Sequence, residues 1–377
     1  MATDTTDPWH PFDGHERVVV ARDPDTGVRM VVALHSTVLG PALGGTRMAD
    51  YATSPNPAAA AYEFDGSGAR AYADALRLSR AMTYKNALAG LPHGGGKGVI
   101  LADSTAPKDP AVLHAYGRLV ASLGGSYVTA GDVGMTVADM DTIGEVCPWT
   151  TGRSPERGGV GDSGILTALG VFLGLKAGMR VVFGSDDLEG RRIGVVGAGK
   201  VGGRLIGHLA EAGADVVAVD PSPGAREAVL AVAPGTRFVD SLDDLLAADP
   251  DVLSPNALGG LLTADLAARL RVRLVAGGAN NQLAEPSVGD LLAARGVVYA
   301  PDFMVNCGGV IQVAEELVGG DLDRARARTE RVSQTTRRVL ERAAREGITP
   351  VAAAEREAED LLAARSREGG AEQEQVL

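Results

Sequence analysis

The chain has 377 residues, 45% of them hydrophobic, 22% charged and only 4% aromatic. That length accommodates two domains of about 150 residues each, and the scarcity of rings favours closely packed α/β layers over an aromatic-rich sandwich. With 48 acidic against 36 basic residues and a net charge of −12, the composition excludes a nucleic-acid backbone as the main partner, because phosphate binding needs a positive surface. Cys147 and Cys307 are too few for a disulfide framework, and no metal-ligand spacing stands out. Met1 to Glu16 lacks the basic start and apolar run of a signal peptide. No uninterrupted apolar stretch approaches the ~20 residues of a bilayer span, so a cytoplasmic chain with no membrane partner is expected.

Residues 17–34 alternate apolar and polar about Asp23-Pro24-Asp25-Thr26-Gly27, which predicts a β-hairpin. A Gly-rich segment, Gly40 to Arg47, follows. Residues 52–69, ending in Asp65-Gly66-Ser67-Gly68, read as a long surface loop with a short helical piece at 58–62. Ala71 to Tyr84 has helical spacing, with Ala75, Leu78 and Met82 on one face. A helix is predicted over 110–123 and a strand over 126–130, leading into Gly131-Asp132.

Helical spacing returns from Ile165 to Met179, in a helix expected to join two domains. A strand, turn and helix over 192–211 and a strand over 215–219 come next. Short apolar runs at 252–253, 272–276 and 297–300 alternate with helical segments at 258–269 and 286–295. This is the pattern of a parallel, doubly wound sheet. Residues 321–346 and 350–365 are charged amphipathic helices, and 366–377 is expected to fray.

Gly197-Ala198-Gly199-Lys200-Val201-Gly202 is a GxGxxG that follows the strand Ile193 to Val196 and opens a helix. The next strand ends in Asp220. That context is what a dinucleotide fingerprint requires. Gly197 makes the tight turn, Gly199 admits the pyrophosphate, and Gly202 lets helix and strand pack closely. The helix N-terminus, with Lys200 and Val201, faces the phosphates. Asp220 bonds the adenosine ribose hydroxyls and repels a 2′-phosphate, so NAD is expected rather than NADP. Arg226, six residues on, is the argument for NADP, and an exposed position is expected for it.

Lys85 closes the helix at Met82-Thr83-Tyr84-Lys85, and Lys97 follows Gly94-Gly95-Gly96. Three glycines before a lysine let the backbone approach a ligand. A partly desolvated lysine beside a second cation has a lowered pKa and can act as a base. Asp132, at a strand end, is suited to relaying a proton. Composition alone equally allows exposed lysines and a turn aspartate.

These segments, with Thr129–Asp141, Gly278 to Leu283, Ala300 to Phe303 and Asn306 to Gly309, stand in the order found in the glutamate/leucine/phenylalanine/valine dehydrogenase family. The chain resembles that family from about residue 17 to 365. Its nearest likeness is to the valine branch in actinomycetes, through Thr151 to Glu156 and Gly161 to Ser163. The resemblance implies that Lys85 holds the substrate carboxylate, Lys97 activates the attacking water, and Asp132 exchanges protons with the amino group. Thr167 corresponds to a threonine near the nicotinamide carboxamide. Asn280 and Asn281 match the pair near the nicotinamide ribose and substrate. Asn256 and Ala257 are expected on the cofactor, and Gly44 on the substrate.

In the family's glutamate enzymes a lysine stands at the position of Leu43 and a serine at that of Val313, both serving a distal carboxylate. Leu43 and Val313 cannot, and with Ala130 and Val310 they are expected to line an apolar pocket, against which an unpaired carboxylate is unfavourable. The departures from the family pattern are the long 52–69 loop, Met135 for a threonine, Gly164 for a small polar residue, Asn256 for a cysteine and Cys307 for an alanine.

The fold class is therefore α/β with two domains. Residues 1–151 form an α/β substrate domain, on which a C-terminal helix within 347–377 packs, and residues 152–346 form a Rossmann-type NAD domain. The expected function is NAD-dependent oxidative deamination of a small branched-chain aliphatic amino acid, by a homo-oligomer. The competing readings are the same chemistry on phenylalanine or another larger amino acid, and an NAD-binding regulator without catalysis. Retention of Lys85, Lys97 and Asp132 disfavours the regulator.

Overall fold

The alternation on either side of Asp23–Gly27 forms the predicted hairpin. In the computed structural model, which describes residues 14–51 and 66–374, β1 (Arg17–Arg22) pairs antiparallel with β2 (Arg29–Ser36). Gly27 takes φ 72° at the turn, and the Asp23 carboxylate accepts from Thr26 N at 2.9 Å. The Gly-rich segment after it is a strand, β3 (Ala42–Ala49). The predicted loop and helical piece at 52–65 lie outside the described residues, while 66–69 are the first turn of helix α1 (Gly66–Leu88).

Gly94 to Lys97 is also strand rather than loop, within β4 (Gly94–Leu101). Its glycines serve packing. A Cβ on Gly95 would lie 2.0 Å from Thr83 N of α1, and one on Gly96 2.6 Å from the Tyr127 ring. The absent side chains therefore let helix and tyrosine close onto the sheet, which replaces the reading of ligand approach. Helix α2 (Pro110–Ala121), capped by Asp109, leads to β5 (Tyr127–Gly131) and to α3 (Val137–Gly144), which opens on a Thr136–Asp139 capping box.

The five strands run in the order β1-β2-β4-β3-β5, with β3 parallel to both β4 and β5. One face buries Val31, Ala33 and Val99 against Ala71, Tyr72 and Ala75 of α1. The other buries Met30, Val32, Leu34 and Ile100 against α2 and α3. Period-two alternation thus sends each strand's side chains to two different cores.

The second unit opens with α4 (Gly164–Phe183), followed by β6 (Arg192–Val196), α5 (Lys200–Glu211), β7 (Asp215–Val219), α6 (Pro223–Val232), β8 (Arg237–Val239) and α7 (Leu242–Ala247). Then come β9 (Val252–Pro255), α8 (Ala264–Arg269), β10 (Leu274–Val275), α9 (Ser287–Ala294) and β11 (Val298–Tyr299). Five more helices complete the chain: α10 (Asp302–Val305), α11 (Gly308–Glu316), α12 (Leu322–Glu330), α13 (Val332–Glu346) and α14 (Pro350–Glu374).

Six parallel strands in the order β11-β10-β9-β6-β7-β8 make the doubly wound sheet, with the order reversing between β6 and β9. α4 is long and apolar enough to cross a membrane by length and composition alone. Here it packs against α5, α12 and α13, burying Leu166, Val171, Leu175 and Met179.

Several predicted elements differ in extent. The helix expected over 258–269 starts only at Ala264, because Gly260 takes φ 75° and the Thr263 hydroxyl caps Leu266 N. The helix over 321–346 breaks at Arg331 into α12 and α13. The last helix continues through Glu374, where fraying is expected from residue 366.

Internal contacts assign Met1–Gly161, Val313–Asp321 and Ala358–Leu377 to one unit and Asp162–Gln312 and Leu322–Glu357 to the other. Residues 152–161 stay with the first unit because the Glu316 carboxylate accepts from Gly152 N at 2.7 Å and Val160 N at 3.1 Å. The start of α14 belongs to the second unit, where Glu357 pairs with Arg338 and Arg342. Its continuation belongs to the first, where Tyr84 donates to Glu359 at 3.0 Å.

Candidate active site

Register places a set of side chains on the α1 face of the first sheet. Leu43 stands opposite Gly95 and Val128, Gly45 opposite Ala130, and Arg47 opposite Val99. Lys97, two residues past Gly95 on β4, shares that face, and Asp132 follows the end of β5. The chain thereby brings two of the predicted residues into contact: the Lys97 ammonium donates to Asp132 Oδ2 at 2.6 Å.

Lys97 is 4% exposed. Desolvation is the largest influence on it and pushes its pKa down, and the Arg47 charge acts in the same direction against Asp132. Asp132 is held well below the usual carboxylate range, since its own desolvation is outweighed by Lys97 and Arg47. The cation beside Lys97 is thus Arg47, which sequence reasoning passed over.

A Cβ on Gly45 would lie 2.8 Å from Asp132 Cβ and 3.2 Å from the Gly131 carbonyl, so the missing side chain lets Asp132 pack closely against β3. Leu43, with no exposed surface, and Ala130 supply apolar surface on the same face. Gly44 lies between β4 and Met82 of α1. A Cβ there would lie 1.8 Å from the Gly96 carbonyl, which gives that glycine a packing reason. Lys85 is half-buried near the end of α1, eleven residues and about three turns from Asp74, hence on the same helix face. Val310 and Val313 lie on the half-buried stripe of α11, and the division between units falls between them.

The second unit presents the dinucleotide geometry at the switch point of its sheet. Gly197 takes φ 93° and donates to Val219 O at 2.8 Å. A Cβ on it would meet Ala257 N at 2.8 Å, so Ala257 walls the turn. Gly202 sits so close that a Cβ would lie 2.0 Å from the Gly197 carbonyl, whereas a Cβ on Gly199 would meet nothing within 4 Å. Helix α5 begins at Lys200 and Val201 with no side-chain cap on its first amides. Open space at Gly199 before uncapped amides fits a pyrophosphate.

Asp220 closes the turn from the next strand, accepting from Ala198 N at 2.6 Å and Ser222 N at 2.8 Å. Arg226 is not exposed as expected. Its Nε donates to the Asp220 carbonyl at 2.6 Å and its guanidinium lies over the Phe238 ring, a seat that the β8 strand creates.

Asn256 ties the end of β9 to the next crossover, accepting from Gly278 N at 2.8 Å while donating to Ser254 O. Asn280 Oδ1 accepts from Asn306 Nδ2 at 2.8 Å. Asn281 holds φ 53°, one of two described non-glycine residues at positive φ, a conformation asparagine tolerates better than most. Thr167 donates to Ser163 O within α4, and only a glycine fits at 309, where a Cβ would come 2.8 Å from the Thr167 hydroxyl.

Residues 15–147 match the Glu/Leu/Phe/Val dehydrogenase dimerisation domain, and residues 226–369 match the Glutamate/Leucine/Phenylalanine/Valine dehydrogenase domain. The valine dehydrogenase of Streptomyces virginiae is 49% identical over 350 residues, covering 93% of this chain and 94% of that protein. The chain belongs to the glutamate/leucine/phenylalanine/valine dehydrogenase family. The leucine dehydrogenase of Geobacillus stearothermophilus is 42% identical, with 92% of this chain and 90% of that protein covered. Among solved structures, the L-tryptophan dehydrogenase of Nostoc punctiforme superposes with a TM-score of 0.80 at 34% identity, covering 95% of this chain and 98% of that one. Residues 176–258 also match the NAD-binding domain of D-isomer specific 2-hydroxyacid dehydrogenases.

As a member of this dehydrogenase family the chain uses a nicotinamide cofactor, and the turn at Gly197–Gly202 fits one. Sequence reasoning missed several residues of the two sites. Arg47, Asp74 and Tyr51 stand behind Asp132 and Lys97, Gly45 lets Asp132 pack against β3, and Asn306 holds Asn280. Reading 42–49 as a strand is the signal that would have put Leu43, Gly45 and Arg47 on one face.

Proposed function

We propose that this dehydrogenase oxidatively deaminates a branched-chain aliphatic L-amino acid, valine, leucine or isoleucine, to its 2-oxo acid and ammonia, with NAD as oxidant. The observation that carries the reading is the Lys97–Asp132 pair on a sheet face that also carries the apolar Leu43 and Ala130. An acid–base pair set among apolar side chains suits a substrate with a charged amino-acid head and a hydrocarbon tail. A distal carboxylate would lack a partner at Leu43 and Val313.

A nicotinamide held at the Gly197–Gly202 turn would supply the acceptor for the hydride that leaves the substrate Cα. Lys85 holds the α-carboxylate. Asp132 takes a proton from the α-ammonium, so that the nitrogen lone pair can form the imine. Lys97, in its neutral form, removes a proton from the water that adds to the imine carbon, and its burial makes that form accessible. A proton returned through Asp132 to nitrogen lets the C–N bond break, releasing ammonia and the 2-oxo acid. Gly197, Gly199, Lys200, Val201 and Gly202 hold the pyrophosphate and Asp220 the adenosine ribose. Thr167, Asn256, Ala257, Asn280 and Asn281 serve the nicotinamide half and the substrate, with Val310 and Val313 completing the apolar lining.

The dimerisation-domain match over residues 15–147 supports a homo-oligomer. Reduction of NAD and NADP in parallel, with valine, leucine, isoleucine, phenylalanine, tryptophan and glutamate, tests the substrate. Fastest turnover of an aliphatic branched substrate is expected. Turnover confined to aromatic amino acids would favour the second reading, to which the likeness to an L-tryptophan dehydrogenase points, and glutamate as best substrate would sink the pocket argument.

The preference for NAD rests on the Asp220 carboxylate, buried at the strand end with both oxygens turned toward the glycine turn and α6. Asp220→Ser is expected to lower kcat/KM with NAD by about 10- to 100-fold, the loss of one or two hydrogen bonds to a charged group. With Arg226 beside it, kcat/KM with NADP should rise at the same time. An unchanged NAD/NADP ratio would remove Asp220 from cofactor selection.

A further inference from the structure

Behind the Lys97–Asp132 pair lies a second ion pair that the reaction scheme does not use. Arg47 Nε donates to Asp132 Oδ2 at 3.2 Å, the same oxygen that accepts from Lys97. The other edge of its guanidinium donates through Nη1 to Asp74 Oδ2 at 2.8 Å. Asp74 cannot swing away, because Tyr51 Oη donates to the same oxygen at 2.7 Å and Arg77 to its partner oxygen at 2.8 Å. Asp74 is 4% exposed. Arg47 therefore bridges two carboxylates from α1 and the end of β5, while standing on β3 beside β4.

We propose that Arg47, anchored by Asp74, is a positioning residue that orients the Asp132 carboxylate and lays a fixed positive charge beside the Lys97 ammonium. The inference rests on the reading of Lys97 and Asp132 as the acid–base pair. A purely structural arginine would be satisfied by Asp74 and Tyr51. This one spends its Nε on the carboxylate that the lysine already holds. The rigid fork of a guanidinium can span both carboxylates at once, which an ammonium cannot.

The charge arrangement gives opposite signs for two substitutions. The charged and titratable groups around Lys97 are Arg47 from β3, Tyr51 just beyond it, Asp74 and Arg77 from α1, and Asp132 from β5. Lys85 lies farther along the α1 face, and β2 contributes Ala33 opposite Lys97 and His35, whose ring bonds the Thr83 hydroxyl. Arg47 disfavours the protonated lysine, whereas Asp74 favours it. Removing the arginine charge makes the lysine easier to protonate, so the acid limb of activity moves to higher pH. Removing the Asp74 charge moves it to lower pH.

The test uses the full-length protein, the fastest amino-acid substrate and NAD, with the pH profile of kcat/KM as readout and NADH affinity measured separately. Arg47→Met is expected to lower kcat by about 10- to 100-fold, the cost of a misplaced reacting group. Its acid limb should move up by about two pH units, the size expected of a unit charge about 6–7 Å away at an effective dielectric constant near 20. Asp74→Asn should move the limb down by a similar amount. Arg47→Lys should leave the limb near its wild-type position while recovering only part of kcat, with NADH affinity unchanged in all three.

Limbs that stay in place in Asp74→Asn and in whichever Arg47 variant folds without its native charge overturn the inference. If Arg47→Met does not fold, Asp74→Asn decides alone, a downward shift supporting the proposal and an unmoved limb ending it. Wild-type protein that reduces no nicotinamide with any amino acid overturns the proposed function instead, which separates the two failures.

Discussion

Lys97→Met is expected to lower kcat by about 10²- to 10⁴-fold, the range that a positioned general base contributes, while NADH affinity stays at the wild-type level. Methionine matches the length of the lysine stem and is at home in a site where Lys97 is 4% exposed. The substitution removes one cation from Asp132 Oδ2 and leaves Arg47 on it, so the carboxylate keeps a partner and the sheet keeps its register. The change is therefore chemical rather than architectural. Steady-state rates with the preferred amino acid, beside a thermal melt and an NADH titration, check it. A variant that melts like the wild type and retains a tenth or more of kcat would show that another group activates the water.

Gly202→Ala carries the second large effect, on the cofactor. One methyl group would lie 2.0 Å from the Gly197 carbonyl and 3.1 Å from Asn256 Cβ. Neither neighbour is the loose end of a side chain, so α5 must move away from the turn. Overpacking of this kind costs about 1–3 kcal/mol, and the displaced helix no longer aims its first amides at the space beside Gly199. NADH affinity is expected to fall by about 10- to 100-fold, with the Lys97–Asp132 pair in the other unit undisturbed. Titration of NADH fluorescence measures the loss, and an affinity equal to that of the wild type would mean that close packing at 202 does not shape the site.

The two sites differ in how far they could be read without a structure. The nucleotide turn depends on residues 193–220, in which a strand, three glycines, a helix and a second strand follow one another and make their contacts locally. Its hydrogen bonds to the next strand, from Gly197 N to Val219 O and from Ala198 N to Asp220, span a single β–α–β step. Arg226 was misplaced because its seat depends on β8, a three-residue strand too short to show periodicity.

The lysine–aspartate pair was named, but its surroundings were not. Gly94 to Lys97 and Ala42 to Ala49 carry glycines, which have poor strand propensity, and their strand character comes from neighbours rather than from themselves. A Cβ at Gly95 would collide with α1 and one at Gly96 with Tyr127, so those glycines record packing partners that a linear pattern does not display.

The sequence by itself determined the parallel Rossmann sheet, the glycine turn with Asp220 and the N-terminal hairpin, because each is written in short-range periodicity or in an ordered motif. Only the tertiary structure decided that Arg47 joins Asp132 to Asp74, that Asp132 packs against Gly45, and that Glu316 draws residues 152–160 onto the first unit. Those contacts link residues 27 to 164 positions apart. The contacts of Arg47 and Gly45 exist because β3, β4 and β5 align side by side in one register, and strand register is a property of the assembled sheet rather than of any one segment.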